Sequence, residues 1–397
     1  MKGRLVIFAL GLSEPGTMGG NSKIALEMAR GLADATEVHF VLPRHKLPTL
    51  ENTVGTSPAF SVHALENYPK DDKFHPFASV RHYLPRVRAL FRELSIGPDD
   101  FVFGISDFHV DVLPLYPLQR EFGFRWLPSV FLFVPGLVEN LGKGYGFPAF
   151  KYVVYWCYQR ILFAMMKRRA TGFVITNEMD KRQFSRRFEG RLFAYYGGVN
   201  VEQIPLTPIP KTRDVVFCSR LHPQKGISTF LDIWRLVLKT CPKARFTVIG
   251  NGDPAYEAEL KAKAARLGIA DSIDWLGYVN NEEKYMVYAS ARVHVHPTVF
   301  DNNGMVAAEA LCSGLPVVMY DLPALRHVYT TGCVKVPFGD QKTFAAEVCA
   351  LLSDDAHRTG VAPTPEQVEA LREQWNWPNR ARRFAGWLKE LETGHVS

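Results

Sequence analysis

The stretch Val295–Val318, VHPTVFDNNGMVAAEALCSGLPVV, leaves this chain few ways to fold. An apolar strand end, Arg292–His296, is stopped by Pro297. A polar loop follows, and then an alanine-rich helical run, Met305–Cys312, closed by Ser313-Gly314. Leu315–Met319 reads as the next buried strand. At the helix N-terminus the backbone N–H groups of Asn303, Gly304 and Met305 lack helical partners and carry partial positive charge, which suits phosphate or sugar oxygens. Asp301 precedes the helix, and Glu309 lies more than two turns down. There a carboxylate can accept two vicinal hydroxyls of a ribose, as in dinucleotide folds. The same spacing also fits an ordinary strand–loop–helix with an Asp cap and a surface Glu.

Alternating strands and helices recur along the whole chain, which predicts an α/β protein with doubly wound parallel sheets. In the first half the expected strands are Leu5–Leu10, Glu37–Leu42, Phe101–Ile105, Trp126–Val134, Gly172–Thr176 and Leu192–Tyr196. A glycine-rich loop, Gly11–Gly20, precedes a helix Lys23–Leu32 capped by Asn21 or Ser22. It lacks the GxGxxG spacing of a nicotinamide site. Residues 43–80 resist assignment, and Tyr83–Leu94 is expected to be helical. Beyond the Phe101–Ile105 strand, Asp107, His109 and Asp111 alternate at the edge where open α/β sheets bind ligands. Gly136–Phe147 reads as a flexible loop, Pro148–Arg169 as an aromatic-rich helix with a basic end, and Asp180–Phe188 as a short basic helix. Residues 201–212 have the proline content of a linker.

The second half restarts the alternation, with strands Val215–Ser219, Ala244–Ile249, Ile273–Leu276 and Cys333–Val336 around the opening stretch. Helices are expected at Ile227–Leu238, up to Arg266, at Glu282–Ala289, at Gln341–Leu352 and through a tail Pro365–Leu391. At 397 residues, two domains are expected. Arg220 and Lys225 follow a strand end on the edge that also carries Asp301 and Glu309. Two cations without a nearby acid, beside a helix N-terminus, make a diphosphate site.

Residues 1–200 hold 25 Lys and Arg against 18 Asp and Glu, whereas 201–397 hold 22 of each, so the net charge of +7 sits on the first half. A basic face there suits an anionic membrane or a phosphorylated acceptor. The aromatic and basic mixture of Pro148–Arg169 suits a membrane interface, although a core helix is the plainer reading. No nucleic-acid-binding module is recognisable. Cysteines 157, 218, 241, 312, 333 and 349 form no CxxC pair and no zinc spacing, which fits reduced thiols in the cytoplasm. Leu5–Leu12 is too short for a signal peptide, and no run is long enough to span a bilayer.

The motifs CSRLHPQKGISTFLDIW, FTVIGNGD, IDWLGYV and FDNNGMVAAEALCSGLPVV, in that order, resemble family 4 of the GT-B glycosyltransferases, the group 1 type. The likeness covers residues 213–340 and extends loosely to GTMGGNSKIALEMARGLA and FAYYGGVNVEQI. It implies two facing Rossmann-like domains: 1–205 on the acceptor side, 206–375 binding the nucleotide sugar, and a helix 376–397 returning to the first. It further implies a retaining transferase, with a UDP- or GDP-sugar as co-substrate, no cofactor and no metal. The acceptor would be a glycan, a lipid-linked or a small molecule; the reduced cysteines point to the cytoplasm, and the basic, aromatic first half to peripheral contact with the inner membrane face.

By position, Arg220 and Lys225 would hold the donor diphosphate and Glu309 the ribose. Asp301, with the amides of Asn303, Gly304 and Met305, would touch the transferred sugar. Gly19 and Gly20 would face the diphosphate, Gly250 would belong to the donor site, and Tyr278 and Val279 would lie near the base. His109 resembles the residue that faces the acceptor, with Asp107 and Asp111 beside it; Arg220, Lys225, Asp301 and His109 are thus the expected catalytic set. The chain departs from the pattern at Asp301, where the family has Glu, and at Asn303, where it has Phe. One methylene less leaves the carboxylate about 1.5 Å short. Two other readings fit the architecture: a non-catalytic nucleotide-binding subunit and a nucleotide-sugar epimerase.

Overall fold

The computed structural model describes residues 2–15, 18–56, 58–67, 76–134, 149–207 and 209–394. The expected Gly136–Phe147 loop lies outside them. The chain forms two units. One holds the described residues up to Gly197 together with those from Trp377 onward, and the other runs over Gly198–Asn376.

In the first unit the elements are β1 Leu5–Phe8, α1 Gly20–Leu32, β2 Val38–Pro43, α2 Leu47–Val54, β3 Ser61–Leu65, α3 Pro76–Glu93, β4 Phe101–Gly104, α4 His109–Phe122, β5 Arg125–Val130, α5 Ala149–Arg169, β6 Phe173–Ile175 and β7 Leu192–Ala194. The strands form one sheet in the order β3-β2-β1-β4-β5-β6-β7, with every pair parallel. The direction of winding reverses between β1 and β4. Because helices cover both faces, the strands read as continuous apolar runs: all four residues of β1 and of β4 are buried.

The second unit holds β8 Arg213–Cys218, α6 Ile227–Thr240, β9 Phe246–Ile249, α7 Pro254–Arg266, β10 Ile273–Gly277, α8 Asn281–Ser290, β11 Ala291–His296, α9 Met305–Cys312, β12 Val317–Tyr320, α10 Pro323–Arg326, β13 Cys333–Val336, α11 Gln341–Ser353, α12 Asp355–Val361 and α13 Pro365–Trp375. Its sheet runs β10-β9-β8-β11-β12-β13, again all parallel, and reverses between β8 and β11. The apolar stripe of α6 (Ile227, Phe230, Leu231, Trp234, Val237) fills the space against the sheet. The last helix, α14 Trp377–Thr393, belongs to the first unit. Its Phe384 meets Phe103 and Phe193, and its Trp387 donates to Gly190 O at 3.3 Å.

Several expectations fail for identifiable reasons. The Trp126–Val134 strand ends at Val130, after which Val134 N bonds the Gln159 side chain instead of a strand neighbour. Helix α1 is capped by Gly19, not Asn21 or Ser22. The Ser22 hydroxyl is buried and bonds Ser13 N at 2.8 Å, pinning the glycine loop to the helix. Asp180–Phe188 is two 3₁₀ turns, Glu178–Gln183 and Arg186–Phe188. The tail breaks at Asn376, since Pro378 lacks an N–H and is tolerated only in a new first turn. Helix α4 carries Pro114 and Pro117 and escapes a reading in which proline marks loops. β3 and α2 lie within residues 43–80, where propensity was silent.

Candidate functional site

In a parallel sheet all loops after the strands gather at one edge, and a crevice opens where the winding reverses. In the second unit this brings together the loop after β8, which carries Arg220 and Lys225, and the loop after β11, which carries Asp301. Gln224 stitches the two: its side chain donates to Phe300 O at 2.7 Å, and its carbonyl accepts Val299 N at 3.0 Å. Gly226 permits the approach. Its φ is +72°, and a Cβ there would sit 1.9 Å from Pro297 O.

The result is an ion pair. Lys225 Nζ stands 2.7 Å from Asp301 Oδ2, with the side chains 21% and 12% exposed. The expectation of two cations without a nearby acid therefore holds for Arg220 but not for Lys225. Arg220 is exposed and makes no salt bridge among the described residues.

Asp301 is also committed to its own loop. Its Oδ1 accepts the amides of Asn302 at 2.9 Å and of Asn303 and Gly304 at 3.1 Å. Two of the three amides expected to meet a ligand are thus turned onto this carboxylate, and only Met305 of that set is not. The shorter side chain explains it: aspartate closes a tight turn over its next three residues. Burial pushes the carboxyl pKa up, but Lys225, His296 and the hydrogen bonds outweigh it and hold it well below the usual range. His296 Nε2 lies 3.7 Å from Asp301 Oδ2, and burial lowers this histidine to about 4, so it is neutral at pH 7. Tyr329 OH supports the turn from behind, bonding Asn303 O at 2.7 Å and Gly304 O at 2.8 Å while its ring stacks on Trp375.

Glu309 is buried rather than on the surface. Its Oε1 meets Lys284 Nζ of α8 at 2.7 Å, while its Oε2 is buried with no hydrogen-bond partner. Asn303 Oδ1 and His296 Nε2 share that condition. Three unsatisfied buried polar atoms on one edge mark a place where a ligand or water completes the bonding. Gly250 follows β9, its amide bonding Gly277 O at 2.7 Å. Tyr278 follows β10 and is 74% exposed, with Val279 half-buried beside it. Lys284, Gln224, His296 and Tyr329 were not foreseen. Lys284 sits among Glu282, Glu283 and the capping residue Asn280, where a lysine reads as a solvated charge.

The first unit's reversal point gathers the loops after β1 and β4. Asp107, His109 and Asp111 do not alternate there, because α4 begins at His109 and sends the three in different directions. Asp111 clamps the two loops, accepting Gly11 N at 3.0 Å and the Ser106 hydroxyl. Burial drives its carboxyl up to about 7, against those bonds and Lys46. Asp107 accepts the Gln159 side chain at 2.7 Å, and burial raises it to about 6. His109 meets Tyr158 of α5. Gly19 is half-buried and bonds Ser13 Oγ at 2.9 Å, while Gly20 is exposed. Among the described residues no group of three His, Cys, Asp or Glu is placed to hold a metal ion, and no helix is long and apolar enough to cross a membrane.

Residues 212–354 match the sequence model of the family described as Glycosyl transferases group 1. Over 170 residues the chain is 34% identical to the phosphatidyl-myo-inositol mannosyltransferase of Mycobacterium leprae (strain TN), an alignment spanning 41% of this chain and 44% of that one. The chain thus matches less than half the length of that curated relative. Among solved structures, sucrose-phosphate synthase from Thermosynechococcus elongatus superimposes with a TM-score of 0.78 at 16% identity, covering 99% of this chain and 100% of that one. Anabaena HepE in complex with UDP-glucose gives 0.72 at 15% identity, covering 97% and 99%. Both share this GT-B fold.

Proposed function

We propose, from the match of residues 212–354 to the group 1 glycosyl transferases, that the chain is a retaining, metal-independent transferase. It moves a sugar from a UDP- or GDP-sugar to a glycan, lipid-linked or small-molecule acceptor. The observation that carries this reading is a buried Glu309 whose Oε2 has no partner, in the unit whose β8 and β11 loops carry the unpaired Arg220 and the Lys225–Asp301 pair. Glu309 would take the ribose hydroxyls and the exposed Tyr278 ring the base. Departure of a nucleoside diphosphate builds charge on its β-phosphate, and Arg220 and Lys225 would stabilise it. Lys225 would then be shared between the phosphate and Asp301. Anabaena HepE, solved with UDP-glucose, supports a uridine nucleotide as the first donor to try.

The acceptor side favours an anionic membrane. On α5, Val154 and Ile161 are 51% and 63% exposed, an apolar stripe that ends at the exposed Arg168. Arg182 and Arg186 add further charge without a salt bridge among the described residues. Such a face suits peripheral docking at the cytoplasmic leaflet, where a lipid-linked acceptor resides. Co-sedimentation with anionic vesicles tests it, and no binding even at low salt would overturn it.

The donor site is tested by thermal shift with UDP, GDP, ADP and CDP, with and without Mg²⁺, on wild type and Lys225→Ala. A nucleotide at 100 times its Kd adds about 2.7 kcal/mol. Stabilisation by one nucleotide, lost in the variant, is the expected result. A shift that requires Mg²⁺ would remove the metal-independent part. No shift with any nucleotide would favour a non-catalytic subunit, a reading that the self-capping of Asp301 supports.

A further inference from the structure

We propose that Tyr158 is a positioning residue: its hydroxyl donates to His109 Nδ1, so the imidazole stays neutral with its proton on Nε2. His109 then serves as a hydrogen-bond donor to a ligand oxygen, not as a general base. The ligand's identity rests on the transferase reading above; the tautomer does not.

The geometry leaves little choice. Tyr158 OH lies 3.0 Å from His109 N and 2.5 Å from His109 Nδ1. The backbone N–H can only donate, so it takes a lone pair of the phenol oxygen. The phenol proton then needs an acceptor, and among the described residues Nδ1 is the one within reach. Were Nδ1 protonated instead, the oxygen would receive two N–H groups and its own proton would be left unsatisfied. With Nδ1 accepting, the ring proton sits on Nε2. That atom is buried and has no hydrogen-bond partner, whereas the ring as a whole is half-buried. A resting site that keeps a donor unpaired is built to receive an acceptor atom.

The neighbouring titratable groups agree. Tyr158 and Tyr155 come from α5, Asp107 from the loop before α4, and Asp111 from α4 itself. Burial raises both tyrosines, so they keep their protons at neutral pH. Asp107 is held by Gln159, whose amide also bonds Leu132 O at 2.8 Å, and Asp111 is spent on Gly11 and Ser106. Neither carboxylate hydrogen-bonds the imidazole, as it would in a base activated by an acid.

The test is ¹⁵N NMR of the full-length chain with labelled histidines, using His109→Gln to assign the signal. At pH 7 the expected spectrum shows an unprotonated Nδ1 and a protonated Nε2. In Tyr158→Phe, which removes the proton donated to Nδ1, mixed tautomers should appear. An imidazolium, an Nδ1–H form, or an unchanged spectrum in the variant would overturn the proposal. Because the wild-type tautomer is read without Tyr158→Phe, a misfolded Tyr158→Phe does not shield the proposal.

In transfer assays Tyr158→Phe should lower kcat by about 10- to 100-fold and leave the donor KM within about threefold. His109→Gln, which keeps an N–H donor, should outperform His109→Leu; equal loss would restore the general base. If no nucleotide sugar is turned over while the tautomer stands as stated, the transferase reading fails and the positioning role survives.

Discussion

Lys284 Nζ, on α8, stands 2.7 Å from Glu309 Oε1, on α9, and the two side chains are 12% and 9% exposed. Neither charge is tolerable there alone. Burial works against the lysine's charge, but the Glu309 carboxylate outweighs it and raises its pKa. The pair therefore fixes the angle at which the glutamate presents its other oxygen.

Truncating one partner should be costly. Lys284→Ala leaves a buried carboxylate alone, and the expected loss is about 3–5 kcal/mol of unfolding free energy in urea. Lys284→Met combined with Glu309→Gln should recover most of it. If the single variant costs under about 1 kcal/mol, the pair is more hydrated than its burial suggests.

Gly304 has φ +64°, and a Cβ on it would lie 3.3–3.5 Å from Tyr329 and His296. Gly304→Ala should cost about 1–2 kcal/mol in backbone strain alone. It should also disturb the turn whose amides Asp301 holds. A thermal melt unchanged from wild type would show that the turn is looser than this.

Asp301→Ala tests that turn differently. Removing the carboxylate releases three amides and leaves Lys225 unpaired, so the loop should lose about 2–4 kcal/mol of local stability. Hydrogen exchange at residues 302–304 measures it. Protection equal to wild type would mean that the amides find other acceptors.

The first unit should show a pH dependence opposite to that of most carboxylates. Asp111 is raised in the folded chain to about 7 from 3.8, so its stabilisation is present below the unfolded value and is lost as pH rises through about 7. Between pH 4 and 8 the loss should be of order 1–4 kcal/mol, and Asp111→Asn should flatten it. Parallel curves for the two proteins would mean that Asp111 is ionised throughout.

Much of the second unit was legible because its elements obey local rules. Met305–Cys312 and Cys333–Val336 fall where alanine content, Ser-Gly closure and β-branched runs place them. The site was legible as a set of loops but not as a set of bonds. That Lys225 and Glu309 each have an ionic partner depends on residues 76 and 25 positions away, and nothing in a local window reports it. Asp301 illustrates the limit best. The missing methylene was visible, yet its consequence, a carboxylate folded back onto three amides, required the turn itself. In the first unit the prolines of α4 hid a helix, and the alternation of Asp107, His109 and Asp111 beyond a strand end concealed that the helix starts at His109.

The placement of α14 in the first unit bears on how the chain is made. On the ribosome, β1 and β4 emerge early, but Phe384, which packs on Phe103 and Phe193, emerges some 190 residues after β7. The first unit therefore waits, partly uncovered, through the synthesis of the entire second one. Folding of the two cannot proceed as independent events in order of translation; the earlier unit is the later to finish.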